Sequence, residues 1–478
     1  MRRYVNQSTK APAGRTDGSF TGYARLDWIH SAVRRRRHEK MHNLMHHLNA
    51  YNFRRAFRTL DGSKASGIDH VKKNDYQKNL GENLAALTNE IQKGGWRPRP
   101  AREVFIPKPQ GGTRPLAIGC LEDKIVQTLV ARILEAIYEP TFHHHSYGFR
   151  RGKSAHQAVG RAYETIRARR KSCTVVEMDI EKFFNSVNQE WLMRTLEERI
   201  GDVRFLRLIR RLLRNSVLHA DGTMAENLSG TPQGSPSSPV LANICLHVLL
   251  DDWFRKNWSQ KGQFVRYADD AIFVFSNEQD AIAFKQALTE RMAEAGLKLN
   301  EDKTRVVPFS ARNPKGTVSL LGFELYWGKR PGIGKTLKVK TIPKRLNRSL
   351  QAFTTWVKGV RNRMTLANLW KLMASKLRGH YNYYGVTFNE AKLSHFYHAC
   401  MGAIFRWLNR RSQKRSFTWK QFLQRLRFEP LPRPPQSFEL INITSEHGAE
   451  GNHKTKSRMP KLGTYGSVRS ASQQLVFT

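Results

Sequence analysis

The sequence predicts an α+β fold, on three observations. Short β-prone runs alternate with helical stretches between residues 101 and 330, helical periodicity dominates the flanks at about 41–100 and 340–430, and Gly and Pro clusters punctuate the joins. The 478 residues suffice for two to four domains, each able to bury its own core.

In chain order, residues 1–40 are polar and Gly-containing and end in the run Arg34 to Arg37. They read as a mobile basic arm, or a helix laid on nucleic acid only when it is bound. Asp17 and Asp27 speak against an organelle transit peptide. The helical block that follows closes on Gly94-Gly95-Trp96-Arg97-Pro98-Arg99-Pro100. After the central β-rich block and a second helical block, Pro430, Pro432, Pro434 and Pro435 open a polar tail to Thr478.

Lys and Arg number 81 against 39 Asp and Glu, a net charge of +42, which calls for a polyanionic partner, nucleic acid above all. A basic membrane-surface protein is the competitor, but no apolar run reaches transmembrane length and the N-terminus lacks the apolar core of a secretory signal. The four cysteines, Cys120, Cys173, Cys245 and Cys400, each stand alone. That spacing suits neither zinc nor a disulfide framework, so a reducing, intracellular setting is expected. His143, His144 and His145 are adjacent, and adjacent residues are not expected to converge on one ion.

The chemistry lies in the middle. Phe264-Val265-Arg266-Tyr267-Ala268-Asp269-Asp270-Ala271-Ile272-Phe273-Val274-Phe275 is two β-prone runs around a tight turn with adjacent acids, where an ordinary surface hairpin would use Gly or Asn. Two carboxylates beside apolar strands repel each other and lose hydration, costs that divalent cations would offset. Alone, such a turn is as readily solvated decoration; it needs a third acid. Thr174-Val175-Val176-Glu177-Met178-Asp179 delivers one at the end of a β-prone run, although a capping Asp would look the same in isolation. Three carboxylates from two strands can hold two magnesium ions about 3.5–4 Å apart for in-line phosphoryl displacement. One would lower the pKa of a primer 3′-hydroxyl; the other would bind the triphosphate and the leaving pyrophosphate.

The order of Asp179, then Gly230-Thr231-Pro232-Gln233-Gly234-Ser235-Pro236-Ser237-Ser238-Pro239, then Tyr267-Ala268-Asp269-Asp270 resembles reverse transcriptases, and the middle motif resembles the group II intron reverse transcriptase/maturases. The resemblance covers about residues 50 to 430. It implies a right-hand polymerase: fingers with an N-terminal extension over 41–165, an antiparallel-sheet palm over 166–335, and a helical thumb/maturase domain over 336–433, with the arm 1–40 and tail 434–478 outside. It implies Asp179, Asp269 and Asp270 as catalytic metal ligands, with Ile180 among the metal-binding positions, for two Mg2+ ions that Mn2+ can replace. Gln233 and Pro232 then support the incoming nucleotide and template base.

Upstream, Val104-Phe105-Ile106-Pro107-Lys108-Pro109 and Gly111-Gly112-Thr113-Arg114 are similar to the family's fingertip hairpin, making Lys108 and Arg114 clamps on the triphosphate; solvated hairpin charges are the alternative. Ser146-Tyr147-Gly148-Phe149-Arg150-Arg151-Gly152-Lys153 matches the next finger motif, with Arg150 and Lys153 on template or primer phosphates. Tyr267 is placed beside the nucleic acid. Downstream, Gly296-Leu297-Lys298-Leu299-Asn300-Glu301-Asp302-Lys303 is similar to the lysine motif, and Leu320-Leu321-Gly322-Phe323 to the primer grip. Lys303 then serves as general acid to the pyrophosphate, or is a surface lysine in a charged loop.

Phe184 falls where the family places a bulky side chain beneath the sugar, so ribonucleotides should be disfavoured; the alternative is that Phe183 and Phe184 are both core. Between Lys329 and Arg433 there are 24 Lys and Arg and two acids, suited to tracking phosphates. Leu377-Arg378-Gly379-His380-Tyr381-Asn382-Tyr383-Tyr384-Gly385 resembles the thumb of group II intron proteins, with Arg378 on nucleic acid. Trp356, Trp370, Tyr381, Tyr383, Tyr384, Trp407 and Trp419 are expected mainly in a helical core.

The reading is an RNA-directed DNA polymerase using an RNA template, a DNA primer and dNTPs, which also binds group II intron RNA to aid splicing. It would be bacterial and cytoplasmic, associated with the nucleoid, with no membrane and no zinc. The alternatives are a domesticated or defence-linked reverse transcriptase, or an RNA-binding maturase in which polymerisation is secondary. The paired Cys and HNH-type His/Asn set of many relatives do not follow Arg433, so no DNA cleavage is expected, with priming by another route such as nascent strands at a replication fork.

Overall fold

The computed structural model describes residues 23, 26–35, 39–107, 112–312, 316–411 and 417–435. Its strands in chain order are β1 (Ala101–Pro107), β2 (Thr113–Ile118), β3 (Thr174–Met178), β4 (Val217–Leu218), β5 (Met224–Ala225), β6 (Gly262–Tyr267), β7 (Asp270–Phe275), β8 (Arg305–Pro308), β9 (Val318–Leu320), β10 (Phe323–Arg330) and β11 (Gly334–Thr341). They form three sheets, ordered β2-β1-β4-β5, β6-β7-β3-β8 and β11-β10-β9.

The central sheet is antiparallel throughout, with Val176 opposite Phe273 and Phe264 also opposite Phe273. Both of its faces are buried, because successive side chains alternate and both sets are apolar. Val176, Met178, Phe264, Phe273 and Phe275 face one core, which they share with the helices Leu121–Tyr138, Ser238–Leu246 and Glu278–Glu294. Val175, Val265, Ile272 and Val274 face a second core, shared with β9 to β11 and the helices Pro343–Val360, Leu366–Tyr384 and Glu390–Leu408. Burial of each such side chain contributes about 1.5–3 kcal/mol. The sheet is thereby clamped between two helical layers and its loop-bearing edge is held rigid.

The α+β class, the antiparallel palm sheet and the helical C-terminal region are as the sequence leads one to expect. The basic arm is not wholly an arm. Residues Leu26–Arg35 form a helix whose Leu26, Ile29 and Val33 are buried in contact with the helix Leu121–Tyr138. Spacing of i, i+3 and i+7 makes one apolar stripe, and burying it outweighs the solvation of the flanking arginines. Residues 1–22, 24, 25 and 36–38 of the arm, and the tail beyond Pro435, lie outside the described residues.

Candidate active site

β6 and β7 join through a two-residue turn, since Tyr267 pairs with Asp270. Ala268 takes φ 57° there, the left-handed region that normally suits Gly. The backbone of Gly148 presses against this turn so closely that a Cβ on it would lie 2.2 Å from the Ala268 nitrogen. Met178 lies opposite Ala271, so the next residue of that chain, Asp179, leaves β3 beside the Asp269-Asp270 turn. The lysine loop is stitched to the same strand end. Asn300 N donates to the Asp179 carbonyl at 2.8 Å, Glu181 N to the Lys298 carbonyl at 2.9 Å, and Ile180 bridges to Leu299. The Ile180 side chain is buried, which leaves its carbonyl as its possible ligand atom.

The three acids act on one another. Burial, reinforced by the negative charges of Asp269 and Asp179, pushes Asp270 up to about 7, against the pull of Arg345 and Lys303. Burial likewise raises Asp269, with Asp179 adding to the effect and Arg114 and Arg266 opposing it. Lys303 Nζ lies 2.9 Å from Asp179 Oδ2. This donor set, hard oxygens in mutual repulsion, fits divalent cations.

The Gly-Pro motif lies against the segment after β3. Thr231 N donates to the Phe184 carbonyl at 2.6 Å and Gly230 N to the Val187 carbonyl at 2.8 Å. A Cβ on Gly230, at φ +72°, would come within 2.3 Å of the Phe184 carbonyl, so only Gly permits this approach. The Gln233 carbonyl accepts from Ala117 N on β2 at 2.9 Å, and the Gln233 amide nitrogen donates to Asn185 Oδ1. Pro232, whose carbonyl accepts from the Ser238 hydroxyl at 2.8 Å, is half-buried. Phe183 is core, whereas Phe184 is half-buried and edge-on to Phe149. The motif is thus hydrogen-bonded both to the segment that carries Phe184 and to β2. Arg114 on β2 is exposed, and its charge reaches Asp269; Lys108 lies outside the described residues.

Gly322, at φ +85°, and Leu321 form the β9–β10 turn. The Tyr383 hydroxyl donates to the Leu321 carbonyl at 2.9 Å, and Ile342 N to the Gly322 carbonyl at 3.1 Å, fastening the turn to the C-terminal helices. Tyr267 is half-buried on the same side. Arg345, exposed in the first turn of Pro343–Val360, belongs to this neighbourhood, since its charge acts on Asp270. The sequence reading missed it.

A comparison with protein families matches residues 106–325 to "Reverse transcriptase (RNA-dependent DNA polymerase)". Protein YkfC of Escherichia coli is 31% identical over 66% of this chain and 86% of its own length. The chain belongs to the reverse transcriptase family. Its other relatives include the putative COX1/OXI3 intron 1 protein of Saccharomyces cerevisiae, 29% identical over 55% of this chain, and the group II intron-encoded protein LtrA of Lactococcus lactis, 35% identical over 35% of it. By name both are intron proteins, and LtrA is encoded by a group II intron. The chain spans 37% and 28% of the lengths of those two proteins. Reverse transcriptases as a family use divalent metal ions.

Two expectations about this reverse transcriptase are corrected. Arg150 does not offer its guanidinium to phosphate. It is buried, paired through Nε and Nη2 with Glu139, and its Nη1 donates to the carbonyls of His143 and Ser146 at 2.6 Å each. The three histidines do converge, their ring nitrogens lying within 4.8 Å of one another, because the turn at 143–146 folds them together. Burial holds His143 down to about 4 and His145 to about 2, and Arg161 adds to the effect at His144 and His145. A divalent ion would meet the same positive field.

Elsewhere, Lys153 lies half-buried over the Tyr147 ring. Arg378 is exposed on the helix Leu366–Tyr384. Trp370, Tyr381 and Tyr384 are core, while Trp419 is largely exposed. The four cysteines are free and buried. No helix among the described residues is long and apolar enough to cross a membrane.

Proposed function

We propose that this chain extends a DNA primer on an RNA template, using dNTPs and two Mg2+ ions at Asp179, Asp269 and Asp270, and that it binds a group II intron RNA to aid splicing and mobility. The observation that carries the reading is the convergence of three mutually repelling carboxylates with a nucleotide-pocket motif on one wall and cations on the other. The ions, when bound, supply the charge that activates the primer 3′-hydroxyl and steadies the departing pyrophosphate.

The chain's own residues do the rest. Asp269 and Asp270 sit on a turn braced by the Gly148 backbone, an arrangement that favours little reorganisation as charge develops. Gln233 and Phe184 border the place for base and sugar; Phe184 presents an apolar edge where a 2′-hydroxyl would find no partner. Arg114 and Lys108 receive the triphosphate from the fingertip. Lys303, released from Asp179, protonates the pyrophosphate. Gly322 and Arg345 steady the primer end, and Lys153, Tyr267 and Arg378 lie along the path of the duplex. The boundaries near residues 165, 335 and 433 belong to the same reading.

Primer extension on an RNA template with each dNTP in Mg2+ tests it. Template-directed incorporation is expected, and its absence with a purified, folded chain would sink the enzymatic reading.

A further inference from the structure

Arg266 is enclosed completely, at 0% exposure, directly after the buried apolar pair Phe264 and Val265 of its strand. A lone charge there would carry a desolvation penalty of several kcal/mol. Its Nε donates to Asp251 Oδ1 at 2.7 Å and its Nη2 to Asp251 Oδ2 at 2.5 Å, and Asp251 is also at 0%. The remaining fork, Nη1, donates to the Ala268 carbonyl at 3.0 Å and to Asn243 Oδ1 at 3.2 Å. Asn243, itself buried, donates from Nδ2 to the carbonyl of Gly148 at 2.6 Å. Gly148 is the residue whose backbone abuts Ala268.

Two features say what this network is for. A buried ion pair is often no more stabilising than well-packed hydrocarbon of the same volume, but hydrocarbon cannot direct a donor at a carbonyl. Here the directed donor lands on the one non-Gly residue of the acidic turn that holds a positive φ. In addition, Asn243 lies on the helix Ser238–Leu246 and Asp251 on the wider π-type turn His247–Asp252 that continues it. Such local widening of a helix is frequent where side chains must be re-aimed at a functional site. This rod begins at the end of the Gly230–Pro239 motif, so one rigid element runs from the Gln233 pocket to the carboxylate turn.

We propose that Asp251, Arg266 and Asn243 are positioning residues: a buried clamp that holds the Ala268 carbonyl, aims the Asp269 and Asp270 carboxylates, and fixes them relative to the nucleotide motif. The inference rests on the polymerase reading for its kinetic consequence and on geometry alone for its effect on metal binding. None of the three touches substrate. Each acts through the turn.

Asn243 is the informative position, because Asp251→Asn strands the Arg266 charge and is expected to unfold the chain. Asn243→Ala is compared with Leu249→Ala, a cavity at a fully buried apolar side chain of the same rod. Four quantities are measured on the full chain: thermal midpoint, Mn2+ affinity by electron paramagnetic resonance without nucleotide, and kcat and KM for single dNTP insertion. Both variants should melt earlier. Asn243→Ala alone should weaken Mn2+ binding at least fivefold and lower kcat at least tenfold, with KM for dNTP changed less than twofold. Mn2+ affinity in Asn243→Ala equal to that of Leu249→Ala and the unaltered chain would overturn the clamp. An unaltered chain that inserts no dNTP would refute the polymerase reading, while the Mn2+ comparison would still decide the clamp.

Discussion

Lys303 Nζ lies 2.9 Å from Asp179 Oδ2, so the downstream loop contributes a cation directly to the carboxylate cluster. The lysine side chain is 58% exposed and the aspartate 26%, so the pair is solvent-screened and contributes little to stability. Lys303→Ala should therefore leave the melting temperature within about 2 °C, yet slow single-turnover nucleotide addition about 10²-fold. Lys303→Arg restores the charge but not a transferable proton. Full recovery of rate in that variant would refute the general-acid role.

Asp270 supplies a pH dependence with a definite sign. Its folded-state pKa, raised to about 7, exceeds the usual carboxylate value, so between about pH 4 and 7 the folded chain holds a proton that the unfolded chain has lost. In the metal-free protein this group's contribution makes stability rise as pH falls from 7 toward 4. Divalent ions compete with that proton. Calorimetry of Mn2+ binding in buffers of different ionisation enthalpy should show proton release at pH 6.5 and little at pH 8.5; equal release at both would contradict the shift.

Phe184 divides from Phe183 in its exposure. Phe184→Ala should raise ribonucleotide insertion relative to deoxyribonucleotide insertion by about 10–10²-fold, read from competing single-nucleotide additions. Phe183→Ala, in the core, should cost about 3–5 kcal/mol of stability without changing the ratio of sugars.

Arg150 and Arg378 should part in the same way. Arg150→Ala leaves Glu139 and two carbonyls without their donor and should destabilise by about 3 kcal/mol, with RNA affinity of the folded fraction unchanged. Arg378→Ala should leave melting untouched and reduce the salt dependence of RNA binding by about one phosphate contact. Filter binding across a salt series measures both.

The acid turn, the Asp179 strand and the Gly-Pro motif were legible because each couples a local backbone need to a chemical group: a left-handed Ala between apolar strands, a carboxylate at a strand end, a Gly where Phe184 leaves no room. What was not legible depends on long-range pairing. Nothing local distinguishes Arg150, buried on Glu139, from Arg378, which faces solvent. Arg345 is near Asp270 only because the β9–β10 turn is tied to the helix that carries it. Arg266 did leave a signal, a charge inside an apolar strand run, but its partner Asp251 lies on another element. The helix Leu26–Arg35 was hidden by the arginines around its three-residue apolar stripe.

The most direct test is the rate of single dNTP addition to a DNA primer annealed to RNA, measured under single turnover for the unaltered chain and for Asp269→Ala with Asp270→Ala. The account predicts a loss of at least about 10³-fold with primer–template affinity reduced no more than twofold. Unchanged addition in the double variant would contradict it.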